Sequence, residues 1–224
     1  MIRLCVFDMD GLLLDSERQV YLKNGMEVSK ELGKEINQYF LTTLMGGSWI
    51  TYKNRIEEEY KQYFSIDDYW RLLWERIQYT IDNVAIPLRP GAKEILDFCK
   101  KEGIAIAIAT STLRENALKC LKNAGLYDYI DFVIAADQVK ETKPNPEIFL
   151  KAIEHFDVPK DEAIIFEDGH NGAKAAINGN CRFIVVPDLA ALMQEDLEKA
   201  DLVAKDLFEA ITFIKEENER TTGV

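Results

Sequence analysis

The chain has 224 residues, with 27 basic and 39 acidic side chains and a formal net charge of −12. That length allows one large domain or a core with a small second one, since domains commonly run to about 100–200 residues, and the charge opposes adhesion to nucleic acid or an anionic membrane. No uncharged apolar run approaches the ~18 residues of a membrane span, and Met1-Ile2-Arg3 leads into the first apolar run without the features of a secretory signal, so the expectation is a cytoplasmic protein working as a monomer.

The first element is the apolar run Ile2–Phe7, short and continuous as a buried parallel strand should be. It ends in Asp8-Met9-Asp10-Gly11. In an extended chain, residues i and i+2 point the same way, so the two aspartates can converge on one site. Carboxylates that close repel unless a cation or a shared proton offsets the charge, and a hard divalent cation such as Mg2+ suits oxygen ligands.

Residues 15–84 carry helical periodicity and no convincing buried strand, and read as an all-α insertion. Ser16 with Gln19 forms a capping box, and the stripe Tyr21, Gly25, Val28, Leu32 runs to Gly33. A second stripe passes through Tyr52, Ile56, Tyr60 and Phe64. A third, begun by Ser65, passes through Ile66, Trp70, Leu73, Ile77 and Ile81. The spacing assigns Trp70 and Trp74 to core packing rather than to a sugar-binding surface. Short connections near Leu14-Asp15 and Asn83 to Pro87 would let such a bundle rock over the sheet as a lid.

From residue 85 strands and helices alternate. Pro90 opens a helix that Gly103 closes; Ile104–Ala109 is a strand; Thr112 with Glu115 caps the next helix. Phe132–Ala135, Ala163–Phe166 and Phe183–Val186 are further strands, Asn145-Pro146 opens another helix, Asp206 with Glu209 caps the last, and the tail from Glu216 to Val224 is expected to fray. The pattern predicts an α/β fold, a doubly wound, Rossmann-like parallel sheet of residues 1–14 and 85–224 with a cap of residues 15–84. Cys5, Cys99, Cys120 and Cys181 are scattered without a CxxC pair, which argues for free, mostly buried thiols rather than a zinc site or disulfide framework.

Ligands of open parallel sheets sit outside the strands' carboxyl ends. There the chain offers Asp8 and Asp10; Thr110-Ser111-Thr112 at a helix N-terminus, where hydroxyls and unpaired N–H groups favour an anion; Lys143 in Lys143-Pro144-Asn145-Pro146, where proline stiffens the backbone around a single lysine; and Glu167-Asp168, a second acidic pair completing a cation site.

In order along the chain these four segments resemble the motifs of the haloacid dehalogenase superfamily of phosphotransferases. The resemblance covers essentially the whole sequence, with the segment between the first two motifs similar to the helical cap of the phosphatase and β-phosphoglucomutase-like branch. It implies a Mg2+-dependent phosphatase acting on a small phosphorylated metabolite, a sugar phosphate first among the candidates. By that resemblance Asp8 is the nucleophile that becomes an aspartyl phosphate, and Asp10 is the acid for the leaving oxygen and then the base for water. Thr110 and Ser111 would bind the phosphoryl group, and Lys143 would balance its charge. Mg2+ would be held by Asp8, Asp168 and the backbone carbonyl of Asp10, with Glu167 in or beside that shell. The chemistry agrees: a phosphate monoester is a dianion that a carboxylate cannot approach until cations and amides neutralise it.

Two alternatives remain. A sugar phosphomutase of this branch uses a histidine just beyond the first motif and an arginine after a Gly-x-Ser turn; an ungapped reading places Val20 and Trp49 there, the latter after Gly46-Gly47-Ser48, which favours hydrolysis. A binding or regulatory module that has lost catalysis is opposed by the intact acids and lysine. His170, after Gly169 where the family more usually has serine, reads as a loop residue without a catalytic role, and His155 as structural.

Overall fold

The computed structural model of the chain describes residues 1–45 and 49–222. Six strands, β1 (Leu4–Phe7), β2 (Ala105–Thr110), β3 (Phe132–Ala135), β4 (Ala163–Glu167), β5 (Arg182–Val185) and β6 (Leu202–Val203), form one sheet of order β3-β2-β1-β4-β5-β6. Every pairing between them is parallel. Five strands coincide with the apolar runs to within two residues at either end. β6 has only two residues, too few to leave a pattern.

The strands read as continuous apolar runs because both faces of the sheet are covered. Cys5, Phe7, Ile106, Ile108, Ile164 and Phe166 belong to one core layer, and Leu4, Val6, Ala107, Ala109, Ile165 and Val185 to the other. The alternation is the two-residue period of a strand. Helices α5 (Ala92–Glu102), α6 (Arg114–Asn123) and α10 (Leu207–Thr222) contribute Leu96, Leu121 and Ile214 to the first layer, and α7 (Glu147–Phe156) and α8 (His170–Asn178) contribute Phe149 and Ala173 to the second, while the short α9 (Gln194–Lys199) lies between β5 and β6 in the chain. The chain leaves β1 toward β2 and β3 on one side and returns to β4 on the other, so the order reverses beside β1. Such a reversal opens a crevice at the strands' carboxyl ends.

Between β1 and β2 lies a helical cap region. It starts with a π-helical turn, Glu17–Leu22, and continues as α1 (Lys23–Glu31), α2 (Gln38–Thr42), α3 (Trp49–Tyr60) and α4 (Ile66–Asn83). Val28, Leu41, Ile56, Tyr69, Leu73 and Ile77 form its interior. The two connecting segments are bonded to each other, Asp15 N donating to Pro87 O at 2.8 Å and Arg89 N to Leu13 O at 2.9 Å. On the far side Asn123 Nδ2 donates to Ile81 O at 2.9 Å, tying α6 to α4.

Several local expectations are corrected. Ser16 does not cap: its backbone is already helical, and the Gln19 side chain donates instead to Asp15 Oδ2 at 3.2 Å. Trp70 is buried, but Trp74 is 46% exposed, on the outer edge of the α4 stripe. From Glu216 to Thr222, where the sequence predicts fraying, the chain is helical, because Ile214 is buried, Arg182 Nη2 reaches Glu217 at 2.6 Å and Ile2 N donates to Asn218 Oδ1 at 2.6 Å; Gly223 and Val224 lie outside the described residues. Ser65 does cap α4, accepting from Asp68 N at 3.3 Å, and Asp206 accepts from Glu209 N at 3.0 Å at the start of α10. Gly46, Gly47 and Ser48 and the side chain of Trp49, on which part of the comparison with mutases rests, lie outside the described residues. Cys5, Cys99 and Cys120 are buried free thiols, and Cys181 is half-buried. No helix among the described residues is long and apolar enough to cross a membrane.

Candidate active site at the carboxyl ends of the central strands

Phe7 pairs with Ile108 on one side and Phe166 on the other, so β2, β1 and β4 finish side by side. Asp8 N still donates to Phe166 O at 3.0 Å, which fixes Asp8 at the strand's end before the chain turns away. Gly11 makes that turn with φ +83°, and a Cβ there would lie 2.3 Å from Asp168 Oδ2. Glycine is required on both counts, the left-handed backbone and the close approach of the acid.

Three buried carboxylates, Asp8, Glu167 and Asp168, bring oxygens within 4.8 Å of one another. Lys143 enters from the loop after β3. Its Nζ bonds Asp8 Oδ1, donates to Glu167 Oε1 at 2.6 Å and to Ala109 O at 2.9 Å, and its side chain is 4% exposed. Burial alone would lower the ammonium's pKa, but the attraction of Asp8 and Glu167 outweighs it and holds the lysine charged. One cation does not neutralise three acids. Burial first, and then repulsion from Asp8, pushes Glu167 and Asp168 above the usual carboxylate range, Asp168 being raised by the charge on Glu167 as well, with Lys143 pulling both back. A cluster of oxygen donors short of positive charge fits a hard divalent cation. Gly172 leaves room for it: a Cβ there would sit 1.8 Å from Glu167 Cδ.

Asp10 stands apart. Its Oδ2 accepts from Thr112 Oγ1 at 2.8 Å and from Thr110 Oγ1 at 3.4 Å, and the carboxyl is not part of the three-acid cluster. Burial and then the charge on Asp8 raise its pKa, while the hydroxyls of Ser16, Thr112 and Thr110 act in the opposite direction. Thr112 is therefore no helix cap. α6 begins only at Arg114, whose N–H is taken by Asp137 Oδ1 at 2.9 Å, so the expected helix N-terminus at Thr110-Ser111-Thr112 is not there. Thr110 is fully buried, with Thr112 N donating to its Oγ1 at 3.0 Å, while Ser111 and Thr112 line the open cleft.

The loop carrying Lys143 is pinned from α7. Glu147 Oε2 accepts from Lys140 N at 2.9 Å and Glu141 N at 3.1 Å, and Glu147 N donates to Asn145 Oδ1 at 2.9 Å. These bonds satisfy backbone donors that a loop would otherwise leave to water.

Above the acids lies a cleft of about 460 Å³. Its floor is Asp8, Asp10, Lys143, Glu167 and Asp168; its roof is Glu17, Tyr21, Leu44, Met45 and Tyr52 from the cap region. His170 lines it too, as the first residue of α8 and not in a loop, with Nδ1 2.7 Å from Oδ2 of the fully buried Asp196. His155 is structural, stacked on Phe132 with ring centroids 3.8 Å apart.

Sequence reasoning assembled the floor and missed most of the roof. Glu17 is buried, and its pKa is pushed up to about 8 by burial and then by the charges on Asp188 and Asp10. Arg18 Nη1 reaches Asp15 Oδ1 at 2.9 Å and Asp188 Oδ1 at 2.6 Å, and Arg89 Nη2 reaches Asp188 Oδ1 at 2.9 Å. The signal available was the run Asp15-Ser16-Glu17 directly after the first motif, two further acids close to a site already rich in them. Val20, Lys23, Lys53 and Arg76 do not line the cleft, and Arg76 is bound by Glu27 and Glu31.

The profile of the haloacid dehalogenase-like hydrolase family matches residues 5–186. A phosphorylated carbohydrates phosphatase of Thermotoga maritima is 32% identical over 188 residues, 76% of this chain and 78% of that protein. Among solved structures, CbbY of Rhodobacter sphaeroides in complex with phosphate superposes with a TM-score of 0.70 at 28% identity, covering 92% of this chain and 95% of that one. The β-phosphoglucomutase of Clostridium difficile superposes with a TM-score of 0.72 at 27% identity over 100% of both chains.

Proposed function

The chain belongs to the haloacid dehalogenase-like hydrolases and is a hydrolase of phosphoesters, and from that premise we propose that it is a Mg2+-dependent phosphatase that cleaves a small monoester, a sugar phosphate foremost, by passing the phosphoryl group through Asp8. The observation that carries this reading is the division of labour between the two aspartates. Asp8 is paired with a charged lysine inside the acidic cluster, while Asp10 is half-buried against two threonine hydroxyls, and its desolvation and the charge on Asp8 make it retain a proton more readily.

Asp8, Glu167, Asp168 and the Asp10 carbonyl would hold Mg2+, which supplies neutralisation of the phosphate's charge. Lys143 holds the Asp8 carboxylate in place and balances negative charge as Asp8 attacks phosphorus and the ester oxygen departs. Asp10 gives that oxygen its proton. The same carboxylate then takes a proton from water as water attacks the aspartyl phosphate, and Asp8 is released with inorganic phosphate. Ser111 stands at the cleft wall to bind a phosphoryl oxygen, while Thr110 acts from beneath by orienting Asp10 and the Thr112 N–H, and the Thr112 hydroxyl is committed to Asp10. Residues 15–84 serve as the cap, rocking on the paired segments at Asp15 and Arg89 to exclude water until the ester is bound.

Hydrolysis is favoured over mutase action because a mutase must grip a second phosphate. Among the described residues lining the cleft, Lys143 is the only lysine or arginine. The test is a product analysis of glucose 1-phosphate with enzyme, Mg2+ and a trace of the 1,6-bisphosphate. Free phosphate is expected; glucose 6-phosphate accumulating with little free phosphate would make the chain a mutase. No release of phosphate from any ester, aryl phosphates included, would leave only a binding module.

A further inference from the structure

Among the described residues that line the cleft, Glu17 is the one carboxyl that this chemistry does not use. It is 8% exposed, and its Oε2 is buried without a hydrogen-bond partner among the described residues. A buried acceptor left unpaired is costly, and such groups persist where a ligand satisfies them. The π-helical turn Glu17–Leu22 places this side chain in the roof, with Tyr21 of the same turn beside it in the cleft. Turns of that kind are rare and recur at functional sites.

Its surroundings restrict the partner. Asp168 brings an oxygen within 4.8 Å of the Glu17 carboxyl, so a carboxylate or second phosphate entering here meets negative charge. Lys143, the only lysine or arginine on the described cleft wall, is already bound by Asp8 and Glu167. A cation is opposed from the other side, because Asp188 is occupied by Arg18 and Arg89. A neutral hydroxyl donor suits Oε2, and Tyr21, Tyr52 and Asn171 supply neutral polar groups around the same space.

We propose that Glu17 determines specificity: its free oxygen accepts a hydrogen bond from a hydroxyl of the leaving group, so the enzyme prefers phosphate esters of neutral polyhydroxyl compounds to esters bearing a carboxylate, an ammonium or a second phosphate. This rests on the phosphatase reading above and names the substrate class for it.

The experiment measures kcat and KM with Mg2+ for glycerol 3-phosphate, glucose 6-phosphate, phosphoglycolate, phosphoethanolamine and p-nitrophenyl phosphate. In the wild type, kcat/KM is expected to be at least tenfold higher for one of the two hydroxylated esters than for phosphoglycolate or phosphoethanolamine. Glu17→Leu should lower kcat/KM for that ester at least tenfold more than for p-nitrophenyl phosphate, chiefly through KM, and Glu17→Gln should recover part of the difference because its amide oxygen accepts the same bond. A wild-type preference for phosphoglycolate or phosphoethanolamine overturns the proposal without needing a folded variant. Losses by one common factor across all esters in Glu17→Gln also overturn it, since they mark a structural role. If the wild type releases phosphate from none of the five, the phosphatase reading itself fails, a result distinct from a wrong preference among esters that are cleaved.

Discussion

Thr112 Oγ1 donates to Asp10 Oδ2 across 2.8 Å, binding the segment after β2 to the loop after β1. The bond favours the ionised carboxyl, so it opposes the burial that raises the Asp10 pKa. Thr112→Val, nearly the same shape, removes it. Asp10 should then hold its proton to higher pH, shifting the pH dependence of turnover upward. kcat for alkyl phosphates should fall about tenfold, as expected for losing roughly 1.4 kcal/mol of a positioned hydrogen bond. A pH–rate profile superimposable on the wild type would refute the coupling.

Asp8→Asn keeps the shape of the side chain but removes the nucleophile and one of three clustered acids. The variant should fold and lose turnover by a factor on the order of 10³ or more. Chelator should abolish wild-type activity, and added Mg2+ should restore it. Stability offers an independent readout: a cation at 100 times its Kd stabilises the fold by about 2.7 kcal/mol, so the wild-type Tm should rise with Mg2+ and that of Asp8→Asn should rise less. Equal shifts in both would remove Asp8 from the metal site.

The two glycines that press on the cluster give a steric test. A Cβ at position 172 meets Glu167 Cδ at 1.8 Å, and one at 11 meets Asp168 Oδ2 at 2.3 Å. Gly172→Ala should displace the Glu167 carboxylate, weaken Mg2+ activation about tenfold or more and cost roughly 1–3 kcal/mol of stability from overpacking. Gly11→Ala should be worse, because it adds backbone strain to the clash. Normal Mg2+ dependence in Gly172→Ala would show that Glu167 is free to move without consequence.

Glu147 connects stability to the site through the loop of Lys143. Its pKa lies at about 2, below the glutamate value of 4.5, because the Lys151 side chain and the N–H groups of Lys140 and Glu141 bond the ionised form. Its stabilisation is therefore fully present above pH 4.5 and is lost as pH falls through about 2. Glu147→Gln should show its largest Tm deficit near neutrality, the difference narrowing toward pH 2 and shrinking in high salt, as for any exposed charge. kcat should drop several-fold as the loop loosens. A Tm difference that stays constant from pH 7 to pH 2 would exclude the charge as its origin.

The floor of the site was legible because strand ends report themselves: an apolar run that stops at Asp8-Met9-Asp10 or Glu167-Asp168 marks both the strand and what it presents. The roof was not. Glu17 sits where a helix's first turn normally carries an acid for the dipole, so nothing in the local pattern separates a recognition residue from an ordinary helix start. Thr112 and Glu115 spell a capping box, yet the tertiary partner Asp10 claims the hydroxyl. Trp74 falls within the helical stripe on spacing alone, but the width of the buried face depends on what packs against α4. The pairing of Arg18 and Arg89 with Asp188 joins residues about 100 and 170 positions apart, a separation no local periodicity encodes.

The central place of β1 bears on how the protein is made. Leu4 pairs with Ala105 and Ala163, partners synthesised long after it. Until both emerge from the ribosome, the first strand has an unpaired edge, and the acids of the cluster remain in separate stretches of a growing polypeptide. Long-range pairing of this kind slows folding, because loop closure must precede the contacts that reward it. The nascent chain thus carries the unpaired edge of Leu4–Phe7 until β2 and β4 have been made, and Asp8 meets Glu167 and Asp168 only when β4 pairs with β1.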